Sequence, residues 1–340
     1  MLFSLTMKKI ELPLPDDFHV HLRQGAPLEN YAKTVANEFG RILVMPNTVP
    51  PIASASQIQE YRAQIQKAAP GLDLLMTFKL NAKFTPEDLK QMKEAGAVAA
   101  KYYPAGVTTN SEDGVSDFES ILPVISEMEK LDLVLCIHGE EPTAFCLDRE
   151  KEFIRRVEYL AEHFPKLRIV FEHLSTKASV EAVLRMPKNV AATITVHHLL
   201  HTLDDIIGGS LKPHHFCKPT PKRPEDRAAL REAAFSGNPK FFFGSDSAPH
   251  AQSKKECCCG AAGVYTAPVA IPALLQIFED AGHLDKLSDF IGGFGADFYR
   301  IPRPAKKVVY EEASWTVPEN VDGAVPLFAG ETLRWKRSES

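Results

Sequence analysis

Short runs of apolar, β-branched or aromatic residues recur along the chain with polar, helix-like segments between them. That alternation is expected of βα units built around a parallel sheet. Eight runs predict strands, at residues 17–22, 41–45, 73–79, 97–103, 133–138, 168–173, 190–197 and 240–245. Helical patterns follow most of them, at 56–68, 86–95, 117–131, 151–163, 177–186 and 225–236, and several open on a Pro, Ser or Asp suited to a first turn. Eight such units close a (β/α)8, TIM-type α/β barrel. After Ser247 comes a loop rich in Gly, Ala and Cys, then a helical region at 268–281 and a C-terminal extension over about 302–340 that carries Val308-Val309-Tyr310. No repeat, low-complexity stretch or shift in composition divides the chain, so 1–340 reads as a single barrel domain with the extension packed on its exterior. Trp315 and Trp335 read as packing anchors of that extension.

Composition narrows the function without choosing it. Of 340 residues, 44% are hydrophobic and 24% charged, enough to bury a substantial core, and 25 prolines point to well-defined loops. A net charge of −5 offers nucleic acid no attraction, so an anionic substrate must be held by local cations in a cleft. The opening Met1-Leu2-Phe3-Ser4-Leu5-Thr6-Met7-Lys8-Lys9 is apolar before it is basic, the reverse of a secretory signal, and too short to span a bilayer. The expectation is a cytoplasmic protein with no membrane partner. Six cysteines without an export signal predict mostly reduced thiols. The adjacent Cys257, Cys258 and Cys259 lack the spacer that zinc knuckles use, so no zinc role is assigned to them. His163, His201 and His283 read as ordinary surface groups.

The chemistry gathers at the predicted strand ends. In Asp17-Phe18-His19-Val20-His21 two imidazoles separated by one residue point to the same face of a strand. Asn47 falls just past the second strand, Lys101 within the fourth, His138 and His173 at the ends of the fifth and sixth, and Asp246 just after the eighth. In an α/β barrel the carboxyl ends of the strands form the catalytic rim. Four imidazoles and a carboxylate suit zinc or a similar borderline divalent ion, and exceed what one tetrahedral catalytic ion uses. Two ions about 3.5–4 Å apart need an anionic bridge. Lys101 could provide it as a carbamate, although a buried lysine also serves as an ion-pair partner or Schiff-base former. Arg23, two residues beyond His21, is placed to offer a planar cation to a substrate carboxylate.

The segments DFHVHLRQG, MPNTVPP, KYYPAGVTTNS, HGE, FEHLST and GSDSAPH resemble the motifs of the amidohydrolase superfamily. In combination they are similar to its dihydroorotase family, of the shorter, free-standing bacterial type, from about residue 17 to 263. The resemblance implies two Zn2+ per chain: His19, His21 and Asp246 on one, His138 and His173 on the other. Lys101, carbamylated by carbon dioxide or bicarbonate to N6-carboxylysine, would bridge them together with a hydroxide. It implies reversible cyclisation of N-carbamoyl-L-aspartate to L-dihydroorotate and water in pyrimidine biosynthesis, with Asp246 as the proton carrier. Asn47 and His250 would join Arg23 on the substrate carboxylate, and backbone groups at Lys218 and Ala262 would read the ring amide edges. Thr108 and Thr109, in the loop 106–114, would close over the substrate, and a homodimer is expected. Position 218 departs from the pattern, being Lys where better-known members carry leucine; its side chain could add a second cation to the pocket. Two other readings compete: a cyclic amidohydrolase acting on hydantoins, dihydropyrimidines or allantoin, and an inactive barrel that stabilises a partner enzyme. The first class of substrate lacks the carboxylate that Arg23 is placed to hold.

Overall fold

A computed structural model describes residues 8–108, 111 and 114–338. Strand β1 spans Lys9–Pro13 and lies outside the barrel. The barrel strands are β2 (Asp16–Val20), β3 (Arg41–Val44), β4 (Asp73–Lys79), β5 (Ala97–Tyr102), β6 (Val134–Ile137), β7 (Ile169–Phe171), β8 (Val190–Ile194) and β9 (Phe241–Phe243), parallel and in sequence order. Their residues are buried almost throughout, which is why both faces read as apolar rather than alternating. The α/β barrel class is therefore the observed one, with the expected span kept at Asp73–Lys79 and the other barrel strands shorter than expected.

How the barrel closes bears directly on the site. Past the end of β9, Asp246 N donates to His19 O at 2.9 Å, His21 N to Ser247 O at 3.0 Å, and Val20 pairs in parallel with Ser247. The seam between first and last strands thus lies at the carboxyl rim and holds Asp246 beside the His19–His21 segment. Inside, the barrel floor is apolar: Phe18 stacks on Tyr299 with ring centroids 5.2 Å apart and meets Phe242 edge-on, with Met45, Val134, Val170 and Ala296 around them. A larger core fills the layer between strands and outer helices.

Several helices begin where their sequences supply a cap. Ser54 accepts from Gln57 N ahead of Ala55–Ala68, Thr176 from Ser179 N ahead of Lys177–Arg185, and Thr85 forms a reciprocal capping box with Asp88 ahead of Pro86–Glu94. The strand expected over 190–197 ends instead at Ile194, because Thr195 caps a short helix, Val196–Leu200, by accepting from His198 N. His197 and His198 consequently lie on that helix. The helix expected over 117–131 divides into a 3-10 turn, Glu119–Ile121, and an α-helix, Leu122–Lys130.

The tail forms β10 (Lys307–Thr316) and β11 (Thr332–Arg337), which join β1 in an antiparallel sheet of order β1-β10-β11. Trp335 is fully buried and donates its indole N–H to Glu279 at 2.9 Å, while Trp315 donates to Trp335 O at 2.7 Å. Among the described residues no helix is long and apolar enough to cross a membrane.

Candidate active site

β2 ends at Val20, so only His19 lies in the strand; His21 and Arg23 sit on the segment beyond it rather than on one strand face. Their convergence comes from the barrel seam instead. Asp17 Oδ1 accepts from His19 N at 3.1 Å and Ser245 N at 2.8 Å, tying the first strand to the last. His19 Nε2 and His21 Nε2 lie 3.3 Å apart, and Asp246 Oδ1 is 3.3 Å from the first and 3.0 Å from the second. Ring centroids run His21 to His19 at 5.2 Å, His19 to His173 at 5.1 Å, and His173 to His138 at 4.8 Å. Four imidazoles from three strand ends therefore line one wall of the rim.

Charge and protonation suit this wall to a cation. Burial holds His19, His21 and His173 below the usual imidazole range, leaving ring nitrogens with free lone pairs. Burial also works against ionising Asp246, yet His19 and His21 outweigh it and hold the carboxyl at about 2. Lys101 is completely buried in β5, its Nζ has no hydrogen-bond partner, and burial lowers its pKa even though Glu172 opposes the shift. His173 Nδ1 is likewise buried and unpartnered. Ligand atoms of His19, His21 and Asp246 stand close enough to share one ion. An orphaned imidazole nitrogen and a buried, unpartnered amine beside them fit a second ion and a carbamate, since each lacks the partner that burial demands.

Two carboxylates that the sequence reading passed over orient the imidazoles. Glu172 Oε2 lies 2.9 Å from His19 Nδ1 and accepts from Thr193 Oγ1 at 2.6 Å, so Nε2 is left to face the cavity. Glu140 Oε2 lies 2.7 Å from His138 Nε2. Both adjoin motif histidines, in FEHLST and HGE, and that adjacency was the signal available. Tyr103 was also passed over; it lines the cavity with its hydroxyl buried and unpartnered, and Lys101 Nζ lies 5.4 Å from its ring centroid.

Across the cavity lies a cationic corner. Arg23 donates from Nε to Pro249 O at 2.9 Å and approaches His250 Nε2 with Nη2 at 2.8 Å, while that nitrogen is 3.1 Å from Ala262 O. Burial, reinforced by Arg23, pushes His250 down to about 3, so the guanidinium faces a neutral ring. Asn47, Thr108, Lys218 and Ala262 line the same cavity, as do Ala248 and Gly263, which the sequence reading did not single out. Lys218 is half-buried at its edge. Thr109 lies outside the described residues. Arg23, His173 and Asp246 adopt φ of 38°, 42° and 45°, a left-handed conformation costly for side chains with a Cβ and often found where surrounding structure enforces a functional geometry.

Not every histidine kept its expected place. His201 is not a surface group: its Nε2 is buried without a partner and its ring stacks on His215 at 4.3 Å. The turn Pro213–His215 brings the His215 ring against it. All six cysteines are free, and Cys257, Cys258 and Cys259 are exposed.

A (β/α)8 barrel that brings imidazoles, a lysine and an aspartate to its strand ends defines a class of hydrolase. Residues 17–276 match the amidohydrolase family, and the chain belongs to it. Within that family, dihydroorotases are among its near-full-length relatives. The one from Teredinibacter turnerae is 45% identical over 332 residues, covering 95% of this chain and 96% of its own. A solved dihydroorotase from Campylobacter jejuni is 38% identical with a TM-score of 0.91 over 99% of each chain. That from Saccharomyces cerevisiae, in complex with 5-fluoroorotic acid, is 35% identical with a TM-score of 0.92, over 97% of this chain and 98% of its own.

Proposed function

We propose that this chain catalyses the reversible closure of N-carbamoyl-L-aspartate to L-dihydroorotate and water, with two divalent ions, of which zinc best suits the donors. The observation that carries the reading is the meeting of His19 Nε2, His21 Nε2 and Asp246 Oδ1 within 3.0–3.3 Å of one another, in a cavity that Arg23 also lines. His19, His21 and Asp246 would hold one ion, His138 and His173 the other, and Lys101 as its carbamate would join them. When bound, such a pair lowers the pKa of water toward neutrality and polarises the amide carbonyl.

The chain's own groups do the rest. Arg23 fixes the substrate carboxylate with a charged fork, and Asn47 and His250 stand beside it, so the ring carbonyl is delivered to the imidazole wall in one orientation. Asp246, held as a carboxylate by its neighbours, takes the proton of the attacking water and returns it to the departing ring nitrogen; in the closing direction it carries the same proton back. Thr108 at the cavity edge and the backbone at Lys218 and Ala262 limit water and read the ring amide. The complex of the yeast relative with 5-fluoroorotic acid supports an acid-bearing ring as the ligand. It favours this reading over a hydantoin or dihydropyrimidine substrate, which would leave Arg23 without a counter-charge. The full set of candidate ligands favours it over an inactive partner.

Following dihydroorotate absorbance with purified protein tests the proposal. Turnover should vanish with a chelator and return when zinc and bicarbonate are supplied. Absence of turnover after that supply, with less than one zinc bound per chain, would establish the inactive reading instead.

A further inference from the structure

We infer that His197, His198 and Cys217 form a separate binding site for a zinc-class divalent ion, behind the wall of the candidate active site. Their ligand atoms all lie within 4.8 Å of one another, and all three residues are buried. None of them belongs to the donor set described above.

The second observation is the state of His197. A neutral imidazole has one nitrogen that donates and one that accepts, and both nitrogens of His197 are buried without any partner. A ring so placed needs either a polar neighbour or an ion, and Cys217 and His198 are what stand next to it, with the two rings 4.6 Å apart. Both ring nitrogens of His198 are engaged, with Thr195 Oγ1 at 2.8 Å and Pro219 O at 3.0 Å, so an ion would take the place of the second hydrogen bond while the first keeps the ring oriented. Cys217 Sγ approaches the same Pro219 carbonyl at 3.4 Å. One ion could therefore replace the protons that His198 and Cys217 now direct at that oxygen, which remains available as a fourth ligand. Two imidazoles and a thiolate are a donor set that zinc accepts.

The binding step is simple to balance. Cys217 releases its thiol proton to solvent, the sulfur and the two ring nitrogens each give an electron pair to the ion, and nothing is oxidised. Lys255, whose ammonium reaches Phe216 O at 2.9 Å and Gly263 O at 2.6 Å, supplies a nearby positive charge for the thiolate. The site would fasten the helix that follows β8 to the residue immediately before Lys218, which borders the active-site cavity. Its role is thus to fix a pocket wall rather than to take part in the reaction.

The test uses the full chain with Cys146, Cys257, Cys258 and Cys259 changed to Ser, which removes the exposed thiols. After metal removal and titration with Co2+, a sulfur-to-cobalt charge-transfer absorption should appear in the near ultraviolet, because the other candidate ligands include no cysteine. Adding Cys217→Ser should abolish that absorption and lower the zinc bound at saturation by one per chain, and His197→Asn should lower it equally. Crystals of the unaltered chain soaked in zinc should show an anomalous peak between these three side chains. No sulfur-to-cobalt absorption at saturation, its survival in Cys217→Ser, or a soaked crystal without that peak would overturn the proposal.

Discussion

At Arg23 and Asp246 the backbone and the side chain carry separate costs, and the proposed chemistry separates them experimentally. Asp246→Asn keeps the shape of the residue, its left-handed φ and its place at the barrel seam, but removes the carboxylate that moves the proton. Turnover should fall by about 10²–10⁴-fold while the circular dichroism spectrum stays that of the parent; activity within tenfold of the parent would remove Asp246 from the proton-carrying role. Arg23→Met keeps much of the side-chain volume and deletes the fork. Because the guanidinium is half-buried beside a neutral His250, loss of its pairing with a substrate carboxylate should weaken binding by about 2–5 kcal/mol. The expected readout is a raised KM with a smaller change in kcat, and unchanged steady-state constants would contradict the pose. At this scale the sequence exposed the candidates well, since the histidines, Lys101 and Asp246 fall at predicted strand ends. It concealed Glu172 and Glu140, because nothing in a linear pattern tells a carboxylate that orients an imidazole from one that faces solvent.

Elements matter here because the strands and the segments just past their ends carry the candidate ligands to the rim, where side-chain contacts then orient them. Gly139, between His138 and Glu140, is a tight point of this packing: a Cβ there would lie 2.2 Å from the buried Phe171 ring and 3.1 Å from Phe153. Gly139→Ala must push β6 away from β7, costing about 1–3 kcal/mol through overpacking and displacing His138 with Glu140. The variant should melt earlier and bind less zinc than the parent, measured by calorimetry and metal analysis; full zinc content with an unchanged melting temperature would show that this corner yields freely. The elements most legible in the sequence were those whose signal is local. The strand Asp73–Lys79 matches its expected span, and Lys177–Arg185, with Thr176 as its cap, differs from expectation by one residue. Strand β1 was missed because its partner, Glu311 opposite Lys9, lies about three hundred residues away. The helix Leu28–Glu38 was missed although Leu28, Tyr31, Ala32 and Val35 carry the i, i+3, i+4, i+7 spacing of a buried helical face; what it lacks is a side-chain cap at Pro27 to mark its start. The expected strand 190–197 overruns into the Val196–Leu200 helix because Val196 continues the apolar run from β8, and only Thr195 marks the break.

On the scale of the whole molecule, the sheet of β1, β10 and β11 meets the end of the helix that follows the first barrel strand, and this junction buries charge. Glu38 ends that helix; Arg337 of β11 donates to the neighbouring Asn37 O, and the buried Tyr310 hydroxyl of β10 has no hydrogen-bond partner. Burial raises the Glu38 carboxyl to about 8, against an ordinary value of 4.5, although Arg337 opposes the shift. In the native chain Glu38 therefore keeps its proton in a window where the unfolded chain has lost it. The sign follows from proton counting: the native state binds more protons between about pH 4.5 and 8, so stability falls as pH rises through that interval. The Glu38 contribution is complete below the lower value and lost above the upper one. Asp16 and Asp17, both raised to about 7 chiefly by burial, carry the same sign, so the slope of the parent alone assigns nothing to Glu38. Glu38→Gln isolates it, because the amide stays neutral at every pH and keeps the shape. Thermal unfolding followed across this window should show the variant gaining on the parent as pH rises, with little difference at its acid end. Parallel curves at all pH values would mean that Glu38 is ionised in the folded protein and that the terminal sheet accommodates its charge.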